Sequence, residues 1–203
     1  MKRLRRPGYV NRLGAVASAS RCEMTKGGVY LDYQASTPLD PRVRIAMAEA
    51  YDATGNASSE EHSFGWAAAA RIDRARCLVA DSLSALSEEI TFTSGATEAN
   101  NIAILGAVLG APKSRRRILI SSIEHKSVSA AANAAERLGF TVEIVPVTRD
   151  GVVEPATVKS MLGDDVAVVS IMAVSNEIGT IQPIPAIGPS VRENGAFFHV
   201  DAT

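Results

Sequence analysis

The feature that most constrains the fold is an alternation of short apolar runs with helical segments in the second half of the chain. The run VAVVSIMAV at 166–174 contains no charged residue, as expected of a strand that is buried on both faces of a sheet. The strands predicted in this half are 117–121, 141–147, 166–174 and 196–201. Helices between such strands imply right-handed crossovers. The pattern therefore predicts an α/β fold with a doubly wound, mostly parallel sheet flanked by helices.

The first half of the chain adds two short strand-like runs, at 29–32 and 89–93. Asp40 followed by Pro41 is typical of a helix N-cap and its first helical position. The helices predicted over the whole chain are 40–54, 66–85, 96–109, 126–138, 154–162 and part of 184–194. Within the long helix at 66–85, the apolar side chains and Cys77 are expected to face a core.

Composition excludes several classes of protein. Of the 203 residues, 46% are hydrophobic, which is too many for a chain that is disordered throughout. Cys22 and Cys77 are the only cysteines, so a disulfide scaffold is excluded and a reducing compartment is favoured. A net charge of −1 argues against a nucleic-acid-binding protein, and no apolar stretch predicts a membrane span.

The two ends of the chain differ in character from the part between them. Residues 1–26 carry seven basic side chains and one acid, whereas 27–203 is acidic overall. This basic leader is interpreted as a disordered tail, a transit-type peptide, a basic nucleic-acid arm, or sequence upstream of a true start at Met24. At the other end, the chain stops two residues after the predicted strand that ends at Asp201. We therefore expect 27–203 to be an incomplete domain, truncated at Thr203.

Polar residues follow the predicted strands at the points where each strand ends. Ser94–Glu98 follows one strand, Ile123–Lys126 the next, Ser175–Gly179 a third, and Asp201 ends the last. In an open parallel sheet, ligands bind outside the carboxyl ends of the strands. These groups are therefore expected to converge on one edge of the sheet and to form a binding site there.

Each of these groups also has an ordinary structural interpretation. The N–H groups of Ala96 and Thr97 could hold an anion at a helix N-terminus, or Ser94 or Thr97 could simply cap that helix. His125 could stack on a flat ligand or move protons, or it could be a loop histidine. A carboxylate at Asp201 suits a ligand with a buried cationic nitrogen, or it caps a turn.

The other two histidines, His62 and His199, are interpreted as structural. The three histidines show no metal-binding spacing, so no metal site is predicted.

Taken together, the motifs of residues 29–203 resemble the N-terminal half of a cysteine desulfurase. These enzymes belong to the class V aminotransferase group of fold-type I enzymes, which depend on pyridoxal 5'-phosphate. The stretches that carry the resemblance are YLDYQASTPLDPRV (30–43), GNASSEEHSFGW (55–66), EITFTSGATEANNIAI (89–104), EHKSV (124–128), VSIMAVSNEIGTIQPI (169–184) and FHVDAT (198–203). They occur in the order and at the spacing of the family.

The resemblance assigns roles to five residues. Ala96 and Thr97 would hold the cofactor phosphate, and Asn176 would lie near the ring hydroxyl. His125 would stack on the pyridine ring and act as the catalytic residue in proton transfer. Asp201 would pair with the protonated ring nitrogen, which withdraws electrons from the substrate.

The resemblance also implies a reaction and partners. L-cysteine would give L-alanine and an enzyme persulfide, whose sulfur passes to an iron–sulfur scaffold or to a sulfur acceptor for tRNA thiolation. The full-length enzyme would be a homodimer in the cytoplasm, or in the mitochondrial matrix if the leader is a transit peptide. The cofactor-binding lysine and the nucleophilic cysteine are expected beyond Thr203, so the chain itself is expected to be an inactive fragment.

Two alternatives remain open. One is a selenocysteine lyase or another class V enzyme. The other is a catalytically dead binding or interaction module.

Overall fold

A computed structural model describes residues 29–33 and 36–203. The expectations for the leader at 1–26, and for Cys22 within it, lie outside the described residues. The chain divides into two compact units between Pro38 and Leu39, and each unit is described by itself. In the first unit, residues 29–32 were expected to be a strand, but they are irregular and pair with no strand among the described residues.

The second unit is built around a four-stranded sheet in which every pair of neighbouring strands is parallel. The strands are β1 (Arg117–Ser121), β2 (Thr141–Val145), β3 (Val166–Ser170) and β4 (Phe197–His199). Their order in the sheet is β2-β1-β3-β4. Since β1 lies between β2 and β3, the chain crosses over the sheet as a doubly wound fold requires, and the predicted fold class is confirmed.

The described residues also form six α-helices. They are α1 (Pro41–Tyr51), α2 (Ser63–Leu83), α3 (Ala96–Gly110), α4 (Lys126–Glu136), α5 (Pro155–Met161) and α6 (Ile184–Asn194). Asp40 caps α1 as predicted, because its Oδ1 accepts a hydrogen bond of 2.8 Å from the Arg42 N–H.

The two faces of the sheet carry separate hydrophobic cores. Alternate side chains of a strand point to opposite faces, so Ile118 and Ile120 lie on one side of β1 and Leu119 on the other. Ile118 and Ile120 pack with residues of α3 and α4. Leu119 packs with residues of α5 and α6, including Val158 and Ile187. These cores hold the sheet between two layers of helices and fix its carboxyl edge, where the polar groups lie.

The predicted strand at 89–93 is wrong. A short 3₁₀ helix occupies Ser87–Glu89, Ile90 after it is extended, and Ile90–Thr93 has no strand partner in the described part of the protein. The Arg76 guanidinium donates to the Ile90 carbonyl and lies 5.0 Å from the centre of the Phe92 ring. Extended backbone becomes a strand only when a neighbouring chain completes the hydrogen-bond ladder, and these residues bind a side chain instead.

The interpretation of Cys77 as a core residue is also wrong. Cys77 is an exposed free thiol on α2, and Leu78 and Leu83 on the same helix are 62% and 66% exposed. The only residues that α2 buries are Gly65 and Ala80. The helical periodicity predicted this helix correctly, but most of its large apolar side chains are exposed to solvent.

Candidate functional site

The centre of the candidate site is the carboxylate of Asp201, which follows β4. The Ala173 N–H binds the Asp201 carbonyl at 2.7 Å and so extends the pairing of β3 and β4. The residue is only 8% exposed. Its Oδ2 accepts a hydrogen bond of 2.8 Å from the Asn100 amide, and its Oδ1 accepts one of 3.2 Å from the Thr203 N–H. Burial raises the pKa of Asp201, but these hydrogen bonds outweigh burial and hold the pKa below its ordinary value.

His125 begins α4 and connects to Asp201 through two polar residues. Its Nδ1 lies 2.7 Å from the Ser127 Oγ and accepts a hydrogen bond of 3.2 Å from the Ser127 N–H. The Ser127 Oγ in turn accepts a hydrogen bond of 2.9 Å from the Asn100 amide nitrogen. Asn100 and Ser127 are both buried. His125 and Asp201 therefore belong to one hydrogen-bonded group.

A second carboxylate, Glu124, joins the ends of β1 and β3. Its Oε1 accepts hydrogen bonds of 2.5 Å from the Ser121 hydroxyl and 2.7 Å from the Met172 N–H. Burial is the main cause that raises the pKa of Glu124 above its ordinary value. The side chain thus closes the gap where β1 and β3 separate, and it holds the turn that carries His125.

A cleft of about 660 Å³ opens beside this turn. Glu124, His125, Asn133 and Asn176 are among the residues that line it. Asn176 is exposed, and its amide donates only a long hydrogen bond of 3.3 Å to Glu177. The structure therefore brings His125 and Asn176 to the same cleft, as the sequence predicted. Asp201 does not line this cleft and connects to it through Asn100 and Ser127.

The N-terminus of α3 carries Ala96 and Thr97. Its N-cap is Gly95, with a φ of +156°, and no side chain caps the helix. Ser94 instead binds the Glu98 carboxylate, through its N–H at 2.6 Å and its hydroxyl at 2.8 Å. Capping by Ser94 or Thr97 is therefore wrong for this helix. Its first N–H groups remain directed at whatever lies beyond the helix end, which favours an anion there.

These elements place Ala96 and Thr97 close to the other groups. On α3, Asn100 follows Thr97 by three residues and Ala96 by four. This separation is about one helical turn, or about 5 Å along the axis. The described residues show no group of three or more His, Cys, Asp or Glu side chains that could hold a metal ion.

The sequence analysis missed Asn100 and Ser127. A signal for Asn100 was present, since Asn100, Ile104 and Val108 lie four residues apart and all three are buried on α3. An amide in such an apolar stripe requires partners. His199 was interpreted as structural, and it lies in the same group, with its Nε2 3.2 Å from the Asn100 Oδ1. His62 is structural as expected, because it caps α2 by accepting from the Gly65 N–H at 3.1 Å.

Comparison with known proteins supplies the family. The model of the class-V aminotransferase family matches residues 29–203. This chain is 44% identical to the mitochondrial cysteine desulfurase of Candida albicans over 175 residues, which are 86% of its length. It is also 44% identical over 177 residues to the cysteine desulfurase IscS of Pseudomonas fluorescens. The solved structure of SspA in complex with cysteine superimposes with a TM-score of 0.79 and 36% identity over 85% of this chain.

The matches cover only part of those proteins. The chain spans 36% of the Candida relative, 44% of the Pseudomonas relative and 50% of the SspA chain. Among the described residues, no helix combines the length and the apolarity that crossing a membrane requires.

Proposed function

The chain belongs to the class-V aminotransferase family, and on that basis we propose that it forms the cofactor-binding part of a cysteine desulfurase. The reaction would remove sulfur from L-cysteine, with L-alanine and an enzyme persulfide as products. One observation carries the proposal most directly: Asp201 is a buried carboxylate that its hydrogen bonds keep ionised. A buried negative charge at the carboxyl edge of a parallel sheet suits a ligand that brings a positive charge.

The residues at this edge suit pyridoxal 5'-phosphate. Asp201 would face the protonated ring nitrogen, and His125 would lie against the ring. The uncapped N-terminus of α3, at Ala96 and Thr97, would bind the phosphate. Asn176 would donate to the ring hydroxyl. When bound, the cofactor supplies an electron sink for the substrate carbon.

The protein's own contribution is orientation and proton handling. His125 lines the cleft with its ring half-buried, so one nitrogen can hold or release a proton there while Nδ1 stays bound to Ser127. Glu124, next to His125, accepts from the Ser121 hydroxyl at the end of β1 and from the Met172 N–H after β3, so it anchors this turn to both strands. L-cysteine would enter through the cleft, and its thiol would then be the group that the enzyme removes.

Partners and location follow from the same proposal. The persulfide sulfur would pass to an iron–sulfur scaffold or to another sulfur-acceptor protein, and the full-length enzyme would be a homodimer. The proposed location is the cytoplasm, or the mitochondrial matrix if residues 1–26 act as a transit peptide.

Ligand titration of the isotope-labelled 203-residue chain tests the proposal. Pyridoxal 5'-phosphate should bind saturably and shift the amide signals of Ala96, Thr97 and Ser127. Pyridoxal, which lacks the phosphate, should leave the signals of Ala96 and Thr97 unchanged. With the cofactor present, L-cysteine should shift signals around the cleft more than L-aspartate does. Absence of saturable binding, or equal shifts with the two amino acids, would count against a cysteine desulfurase.

A further inference from the structure

Asn100 uses its whole side chain to join three elements. It lies on α3 and is 4% exposed. An ionised carboxylate only accepts hydrogen bonds, so the Asn100 atom that faces Asp201 at 2.8 Å must be the amide nitrogen. The amide oxygen then faces His199, whose Nε2 must donate across 3.2 Å. The orientation of the amide is thus fixed by the charge of its neighbour.

The second hydrogen of the Asn100 amide determines how Ser127 bonds. It is donated to the Ser127 Oγ at 2.9 Å, so the hydroxyl hydrogen of Ser127 is directed elsewhere. The acceptor within reach is the His125 Nδ1, at 2.7 Å. The Ser127 backbone N–H also donates to this nitrogen, at 3.2 Å. With two donors directed at it, Nδ1 carries no proton, and the ring hydrogen of neutral His125 lies on Nε2.

We infer that Asn100 is a positioning residue that couples the orientation of Asp201 to the tautomer of His125. Asn100 would contact neither substrate nor cofactor. Through Ser127 it makes His125 present an N–H at Nε2 for a ligand to meet, and through its direct bond it aims the Asp201 carboxylate. The roles of His125 and Asp201 toward a ligand rest on the proposed function, whereas the coupling belongs to the chain without any ligand.

The groups around Asp201 agree with this arrangement. The titratable side chains that face it are His199 and Glu124. Burial lowers the pKa of His199, which keeps that ring neutral and able to donate through Nε2 while Nδ1 lies 2.8 Å from the Ser170 hydroxyl. Each of the two N–H hydrogens and the oxygen of the Asn100 amide therefore has one compatible partner.

The test uses NMR of the 203-residue chain without cofactor, and it follows the His125 ring nitrogens and the Asp201 carboxyl carbon. Asn100→Leu should raise the pH at which Asp201 titrates and should also move the His125 Nδ1 signal toward that of a protonated nitrogen. The matched control is Asn101→Leu on the next residue, which removes only a bond of 2.8 Å to the Thr97 carbonyl. It should change neither signal.

A second variant separates the effect of the Asn100 bond to Ser127 from that of its bond to Asp201. Ser127→Ala should alter the His125 ring signals and leave the Asp201 titration unchanged. Once Ser127 is Ala, adding Asn100→Leu should no longer change the His125 signals. If Asn100→Leu does not fold, Asn100→Ala is smaller, loses both donated bonds and should show the same two changes.

Either of two results would overturn the coupling. One is a His125 ring that starts with its proton on Nδ1, and the other is an Asn100 variant that moves only one of the two signals. Failure of pyridoxal 5'-phosphate to bind would instead refute the proposed function and leave these signals as predicted.

Discussion

The two edges of the sheet both carry charged side chains, but they balance the charges differently. At the amino end of β1, Arg117 binds Asp165 and Glu143, each at 2.9 Å. At the carboxyl edge, Asp201 and Glu124 form no ion pair with Lys or Arg in the described part of the chain. Hydrogen bonds from amides and hydroxyls satisfy them instead. The carboxylates of the amino edge are thus neutralised by Arg117, whereas Asp201 keeps a negative charge without a Lys or Arg partner among the described residues, as the proposed cationic ligand would require.

The largest expected effect is on ligand binding at the carboxyl edge. Asp201→Asn should weaken binding of pyridoxal 5'-phosphate roughly 10- to 100-fold, because it removes a charge-assisted hydrogen bond to the ring nitrogen. Asp165→Asn makes the same chemical change at the amino edge and should leave the Kd unchanged. Calorimetric titration of both variants measures the difference. Equal weakening by both would mean that the two edges do not differ as described.

The phosphate end of the site should show a smaller effect. Thr97→Val keeps the size of the side chain and removes its hydroxyl, so binding of pyridoxal 5'-phosphate should weaken about tenfold. Binding of pyridoxal should not change, because it has no phosphate to contact Thr97. If both ligands weaken equally in titrations of this variant, the phosphate does not lie at the N-terminus of α3.

The dependence of stability on pH should have opposite signs for Glu124 at the carboxyl edge and Asp165 at the amino edge. The folded pKa of Glu124 is raised by burial, so the native state holds its proton to higher pH than the unfolded chain does. This group therefore lowers stability as pH rises from its ordinary value of 4.5 through the folded pKa. The folded pKa of Asp165 is lowered, first by its hydrogen bond to Arg117, so its contribution is lost as pH falls below its ordinary value of 3.8.

Urea unfolding across this pH range measures how the free energy of unfolding changes with pH for each of these two groups. Glu124→Gln should gain stability relative to the wild type as pH rises, and Asp165→Asn should lose it. The same sign for both variants would contradict the contrast between a desolvated carboxylate and a paired one.

The smallest effect is expected from the ion pairs of the amino edge. Arg117→Met should lower the free energy of unfolding by about 1 kcal/mol, because both carboxylate partners are well exposed to solvent. It should leave ligand binding unchanged. A larger loss in denaturant unfolding, or a change in the Kd for pyridoxal 5'-phosphate, would show that this edge also supports the carboxyl edge.

Sequence patterns predicted the sheet well because its strands carry their own signal. β1 begins and ends where the pattern places it, α6 fills the whole range of which only part was expected to be helical, and the polar groups after β1 and β3 converge on one cleft. The strand expected at 89–93 failed, since a strand also depends on a partner that periodicity does not reveal. The prediction that Cys77 lies in a core was wrong for a similar reason, because an apolar face is buried only where another element covers it.

The site was predictable in its outer residues but not in its connections. His125 and Asp201 stand at strand ends, where position alone suggests a role. Asn100 and Asn101 are chemically identical neighbours, and only the burial of Asn100 against α4 and β4 separates them. Which amide faces inward depends on the rotation of α3, and the Ile104 and Val108 stripe is the one indication of it in the sequence.

The most direct test of the central claim is the protonation state of the cofactor ring nitrogen on the protein. Pyridoxal 5'-phosphate labelled with ¹⁵N in the ring would be bound to the 203-residue chain at mildly alkaline pH, and its nitrogen signal recorded by NMR. The buried charge of Asp201 should hold this nitrogen protonated in the wild type, and Asp201→Asn should move the signal to that of an unprotonated ring. An unprotonated nitrogen in the wild type, or the same signal in both proteins, would contradict the account.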